Sequence, residues 1–207
     1  MTNSPNTYTN GLPRKTYQTM KPGTRGHAAD AMPSVADIVA LSRLGESGRF
    51  WYRDGVKPAT RLAGELGTTL PTFADILAVA SPQVPVIRDI KLAIYWFNHP
   101  EIHHADSATI GAAMGIIPSV AVGLVNYSKG RGVNGPKTSR FSQAVQGDAD
   151  SLVLDVWMSR VLGVKQSRLF KVNNWVAASN LFAESADVLG WRVAEVQAAV
   201  WCNCVVT

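Results

Sequence analysis

Residues 129–164 read KGRGVNGPKTSRFSQAVQGDADSLVLDVWMSRVLGV. The stretch opens on a glycine-rich turn, Gly130-Arg131-Gly132-Val133-Asn134-Gly135-Pro136, with helical patterns on both sides. A helix, a tight glycine turn and a second helix leave backbone N–H groups at the second helix's start. Such groups bind phosphate without reading base sequence. Lys137 stands in the first turn of that second helix, as a solvated or phosphate-binding lysine or as a reactive amine. Eighteen residues later Asp155 sits among Leu152, Val153, Leu154, Val156, Trp157 and Met158. A carboxylate in so apolar a run is either an N-cap for a helix over 156–162 or the ion-pair partner of Arg160 or Lys137. Capping is compatible with chemistry, because a helix N-terminus favours an ionised carboxylate in an apolar pocket.

Working outward, the rest of the chain reads as helices joined by short loops. Pro33-Ser34 starts a helix that runs to about Leu44. Further helices are expected at 57–66 (closed by Gly67), 72–80 (ended by Ser81-Pro82), 107–114, 118–127, 138–145, 156–162, 175–189 and 193–201. In 85–97 the apolar residues Val86, Ile90, Ala93, Ile94 and Phe97 fall at helical spacing. Residues 151–155 form an isolated extended stretch, too short for a sheet. The expected fold class is all-α, with helices packed around one or two cores and no substantial sheet. Residues 1–32 carry Arg14, Lys15, Lys21 and Arg25 with no acid before Asp30 and few aliphatic residues. They read as a flexible basic arm, a simple tail or one lying on nucleic acid. Residues 33–207 then form the helical domain.

The 207 residues are 46% apolar and 17% charged, a composition that folds. No run of about 18 apolar residues is present, so no membrane-spanning helix is expected. The start lacks the pattern of a secretory signal. Cys202 and Cys204 cannot build a disulfide framework or a four-cysteine cluster, and a reducing, cytoplasmic setting is expected. Net charge is +5 with a pI near 9.4. From Ser107 to Gly147 there is no Asp or Glu, while Lys129, Arg131, Lys137 and Arg140 fall in that window. This is a solvated basic face or a phosphate-contacting one.

Taken together, Gly135-Pro136-Lys137-Thr138 followed by Leu154-Asp155-Val156-Trp157-Met158-Ser159-Arg160 resembles the helix-hairpin-helix DNA glycosylase superfamily, in its endonuclease III-like branch. There a Gly-x-Lys-Thr hairpin is followed 18 residues after the Lys by an Asp in an Asp-x-x-x-x-Arg setting. Ile76-Leu77-Ala78-Val79-Ala80-Ser81-Pro82-Gln83 is similar to that family's Leu-Ser-x-Gln segment. The likeness covers roughly residues 70–165. Three departures mark a divergent, phage-type branch, which would place the protein in the host cytoplasm. The hairpin Gly132-Val133-Asn134-Gly135 carries one residue more between its glycines than the family's. The family's Asp-Thr-His is Asp155-Val156-Trp157 here. The C-terminal iron–sulfur loop of many relatives is absent.

The resemblance implies a glycosylase-like helical bundle of two subdomains, with the hairpin at about 118–147 and the loop of the catalytic Asp at 148–156. It implies base excision: the target nucleotide of a double-stranded DNA leaves the stack and its N-glycosidic bond is broken. Lys137 would attack the sugar C1′ and form a Schiff base, which adds abasic-site lyase activity. Asp155 would face the oxocarbenium-like charge and help deprotonate the nucleophile. Gln83, Lys129, Arg131, Gly132, Asn134, Gly135, Thr138 and Arg140 would contact DNA, with Gln83 as the wedge. No cofactor or metal is expected, and a monomer is the default. Trp51, Tyr52, Trp96 and Trp157 are candidates for the base pocket, against the commoner role of aromatic residues as core. His99, His103, His104 and Asp106 read as a polar loop in preference to a metal site, since Pro100 interrupts the helix. Two other functions stay open. One is an amino-acid:DNA transferase-type enzyme that modifies thymine derivatives in phage DNA. The other is a non-catalytic helix-hairpin-helix DNA-binding protein.

Overall fold

The computed structural model describes residues 32–205, so the expected basic arm lies, apart from Met32, outside the described residues. Among the described residues every regular element is helical and no strand forms. In chain order the α-helices are α1 Val35–Leu44, α2 Trp51–Glu65, α3 Leu70–Ala80, α4 Val86–Asn98, α5 Ser107–Met114, α6 Pro118–Asn126, α7 Pro136–Val145, α8 Val156–Val161, α9 Gln166–Leu169, α10 Val172–Leu189 and α11 Val193–Val205. Short 3-10 turns lie at Glu46–Gly48 and Pro100–His104, and a π-type turn at Tyr127–Arg131 continues α6. No single helix among the described residues is long and apolar enough to cross a membrane.

Local chemistry sets most of the boundaries. Ser34 caps α1 in a reciprocal box. Its hydroxyl oxygen accepts from the Asp37 N–H, and the Asp37 carboxylate accepts from the Ser34 N–H at 2.9 Å. Thr69 caps α3, and Asp106 caps α5 through the Thr109 N–H at 2.8 Å. α5 and α10 end on Gly115 and Gly190, both left-handed. One start differs clearly from expectation. α2 begins at Trp51, six residues before Lys57, and runs through Pro58. Pro58 lacks the N–H that would bond the Asp54 carbonyl, and both residues are exposed. Ala59, Leu62 and Ala63 of the same helix pack on the core.

The described residues group into two compact units. The central unit is residues 53–151. Its core gathers Phe73, Ile76, Leu92, Trp96, Ile110 and Leu124. α3 is buried nearly all round, through Phe73, Ala74, Ile76, Leu77, Ala78, Val79 and Ala80, and is the helix around which this unit is built. The terminal unit joins residues 32–52 to 152–205. Its core gathers Ile38, Leu41, Leu154, Met158, Leu162, Leu169, Phe182, Val196 and Val200. There α1 packs on α10 and α11. The stretch Leu152-Val153-Leu154 is buried and forms no regular secondary structure.

Candidate functional site

The glycine-rich turn lies between the π-type turn and α7. Gly132 and Gly135 take φ of 66° and 100°, the left-handed region that a side chain disfavours. Pro136 then opens α7, where its missing N–H removes no helical bond. The first bond of the helix runs from the Ser139 N–H to the Gly135 carbonyl at 3.0 Å. This geometry presents Lys137 in the first turn. The Lys137 side chain is half-buried, and its Nζ donates to Ser81 Oγ at 2.7 Å. The Ser81 hydroxyl itself donates to the Ala78 carbonyl at 3.0 Å. Ser81 is therefore fixed as an acceptor toward the lysine. Nζ also stands 5.7 Å from the Phe141 ring centroid. Two segments 56 residues apart, Ser81-Pro82-Gln83 and Gly135-Pro136-Lys137, thus meet at one hydrogen bond.

Asp89, in the first turn of α4, belongs to the same cluster and was not singled out in the sequence. It is 4% exposed, and its Oδ1 has no hydrogen-bond partner among the described residues. Burial pushes its carboxyl up to about 8, and the Lys137 ammonium opposes that rise. A signal was present. Asp89 lies three residues from Leu92 and four from Ala93, on the buried stripe of α4, where an acid has no business unless something uses it.

A second unanticipated acid, Asp75 on α3, holds α7 in place. Its carboxylate accepts from the Ser142 hydroxyl and, at 3.3 Å, from the Tyr127 hydroxyl. Gln146 Nε2 donates to Ser142 Oγ at 2.9 Å. Burial, and then the Asp75 carboxylate, raise the Tyr127 phenol above its ordinary range. The helix that carries Lys137 and the turn that precedes it are both tied to α3 through this one acid.

The other expected DNA-contacting residues are placed as follows. Lys129, Arg131, Gly132, Asn134, Gly135 and Arg140 are exposed, and Thr138 is half-buried. Arg131 donates to Asn126 Oδ1 at 2.9 Å and Arg140 to Gln143 Oε1 at 3.1 Å. Gln83 is exposed and takes φ of 63°, alone among the described non-glycine residues in a left-handed conformation. Such backbone strain in a side-chain-bearing residue is found where the surroundings hold it for a reason.

Asp155 lies in the terminal unit, and there the capping role is realised. Its Oδ1 accepts from the Trp157 and Met158 N–H groups, both at 2.9 Å, and its Oδ2 accepts from the Trp201 indole at 3.1 Å. Arg160 lies over the Trp157 ring, 4.4 Å from its centroid. Tyr52 donates to Gln197 Oε1 at 2.9 Å. Burial first, and the Asp155 charge second, push the Tyr52 hydroxyl well up and the Cys204 thiol up to about 12. Trp51 meets Tyr52 edge-on and Trp201 at a tilt. Trp96 is 2% exposed in the central core and stacks on His103, so it is core and not an open stacking platform.

His99 and His103 bond the carbonyls of Tyr95 and Trp96, at 2.8 and 2.9 Å, and stack on those same rings. Among the described residues no group of three or more His, Cys, Asp or Glu is arranged to hold a metal ion.

Residues 24–206 match a family described as "Family of unknown function (DUF7178)". No curated protein and no solved structure matches the chain.

Proposed function

The chain belongs to DUF7178, a family of unknown function, and from the geometry around Lys137 we propose that it is a DNA base-excision enzyme with abasic-site lyase activity. One observation carries the reading. The lysine of Gly135-Pro136-Lys137-Thr138 turns inward onto Ser81, next to Gln83 in sequence and close to a buried acid, instead of extending into solvent as a phosphate ligand. A nucleophilic amine must be held in place and lose its proton before it attacks. In the proposed reaction the Nζ lone pair attacks the sugar C1′ while the base departs with the electrons of the N-glycosidic bond. The C1′–O4′ bond then opens, O4′ takes a proton, and a Schiff base remains on Lys137. Asp155 carries over from the resemblance as the carboxylate that offsets positive charge on the sugar. The exposed Lys129, Arg131 and Arg140 supply backbone contacts, and the strained Gln83 supplies the wedge.

A second reading draws on Asp155. Both its oxygens are engaged, by two backbone N–H groups and an indole, as in a residue kept for structure alone. On that reading the hairpin binds DNA without chemistry. Borohydride trapping on a duplex with an abasic site separates the two. A covalent adduct with the native chain that is lost with Lys137→Ala and reduced with Asp155→Asn supports the enzyme. Tight, salt-sensitive binding with no adduct, and no base release from modified duplexes, supports the binding module and refutes the lyase.

A further inference from the structure

One end of the central unit gathers more than the lysine. Ser81, just past α3, accepts from Lys137 in the first turn of α7, while Ser142, later in α7, bonds Asp75, earlier in α3. α7 therefore starts beside the end of α3. α6 runs the same way. A methyl group at Gly123 would stand 2.9 Å from Val79 Cγ1, and Tyr127 bonds Asp75, so the start of α6 is on the Ser81 side. α4 begins directly after the turn 81–85, and its Arg88 guanidinium donates to the Gly115 carbonyl, just ahead of α6, at 2.8 Å. This shared end presents an apolar tip. Ile87 is 72% exposed and Val86 37%. Ile87 covers nothing in the core: the buried residues of α4 are Asp89, Leu92, Ala93 and Trp96, and Ile87 shares the opposite face with Lys91, four residues on. The charge around the tip has one sign. Arg88, Lys91 and Arg140 are exposed, while in 81–91, 111–123 and 132–141 the sole acid, Asp89, is buried.

Building on the DNA reading above, on which this rests, we propose that this end of the central unit docks on duplex DNA, with Ile87 inserted as an apolar wedge between base pairs and Lys91 and Arg140 on the flanking phosphates. Charge complementarity selects the partner, because a rim of cations without an exposed acid fits a polyanion. The tip selects the mode. Proteins that open a duplex push isoleucine, leucine, phenylalanine, methionine or proline into a base step, and the unstacking is offset by the contacts that bent DNA then makes. A wedge must be stiff. Ile87 is β-branched, stands in the first turn of a helix, and is braced by the bond from Arg88 to Gly115. A lipid surface fits less well. A whole myristoyl chain holds a protein to a membrane only marginally, so two exposed side chains bring too little apolar area. Gln83 and Ile87 have separate tasks: the amide suits a base edge, and the isoleucine parts a stack.

The test uses the full-length chain and a duplex that carries tetrahydrofuran, a stable abasic-site analogue, with 2-aminopurine placed in turn at each position beside and opposite it. Fluorescence of 2-aminopurine rises when the base is unstacked. At saturating native protein one position brightens. Ile87→Ala loses most of that rise at saturation and weakens binding about ten- to fiftyfold by anisotropy, as the loss of three buried carbons implies. Ile87→Met keeps both, and because the side chain is outside the core both variants unfold at the native urea midpoint. Lys91→Gln with Arg140→Gln lowers the slope of log affinity against log salt by about 2. Binding without brightening, or brightening in Ile87→Ala equal to the native chain, overturns the wedge and leaves the DNA reading standing. An unchanged salt slope overturns the docking surface. No binding to any duplex overturns this proposal and the DNA reading together. Binding to phosphatidylcholine–phosphatidylglycerol vesicles that depends on Ile87, with no brightening on DNA, assigns the tip to lipid and overturns the proposal.

Discussion

Replacing Asp89 with Asn should change not only the stability of the protein but the way that stability depends on pH. The carboxyl is 4% exposed and its folded-state value is pushed from 3.8 to about 8. Between those values the folded chain holds a proton that the unfolded chain has released. Stability contributed by the neutral acid is thus fully present below 3.8 and is lost as pH rises through about 8. Each unit of that window is worth about 1.4 kcal/mol, so the full span amounts to roughly 6 kcal/mol. An Asn amide stays neutral throughout. Its unsatisfied polar atoms cost about 1–3 kcal/mol, but that cost does not vary with pH. The native chain should therefore lose stability relative to the variant by about 1.4 kcal/mol per pH unit from pH 5 to 7.5, and the variant should be the more stable at pH 8. Urea unfolding of both full-length proteins at half-unit intervals measures the difference. A difference constant within about 0.5 kcal/mol, or one of opposite slope, would refute the reasoning, since an acid locked ionised against Lys137 would strengthen the native chain as pH rose through the acid range.

Three further outcomes can be checked on the same protein. Gln83→Gly relieves a left-handed side-chain-bearing residue and should leave the unfolding midpoint unchanged or raise stability by about 0.5–1 kcal/mol, while lowering base release if Gln83 is the wedge. Asp155→Ala removes the cap of α8 and the acceptor of the Trp201 indole and should destabilise by about 2–3 kcal/mol, read by denaturant unfolding; a loss under about 0.5 kcal/mol would contradict the bonds described. Cys204, pushed up to about 12, should react with iodoacetamide at pH 7.5 far more slowly in the folded chain than in urea, as peptide mass spectrometry would show.

Much of the helical layout was legible because its signals are local. Ser34 announces the start of α1 by the chemistry of its own side chain, and Gly132 and Gly135 announce the turn by the backbone they permit. The start of α2 at Trp51 was not legible: the helix carries Pro58 in its interior, and the packing of Ala59, Leu62 and Ala63 on the core is what no local rule states. The site was half legible. The turn that presents Lys137 was legible from its glycines, and Lys137 was singled out through the family resemblance. Asp75 and Asp89 could not be ranked above other acids, because what distinguishes them is burial, and burial is decided by α3 and its neighbours packing together. Likewise no pattern within either segment states that Ser81 accepts from Lys137.

The terminal unit draws its two parts from stretches separated by about a hundred residues, and this has a consequence for synthesis. α1 leaves the ribosome early, yet the helices that cover Ile38 and Leu41 are α10 and α11. At about 5–20 residues per second, α1 waits roughly 7–30 s for them. The central unit is complete by then, and its core is drawn from residues within 53–151, so it is free to close first. During that interval the nascent chain carries a folded middle and an uncovered apolar helix before it, the state in which a chaperone would find the most to hold.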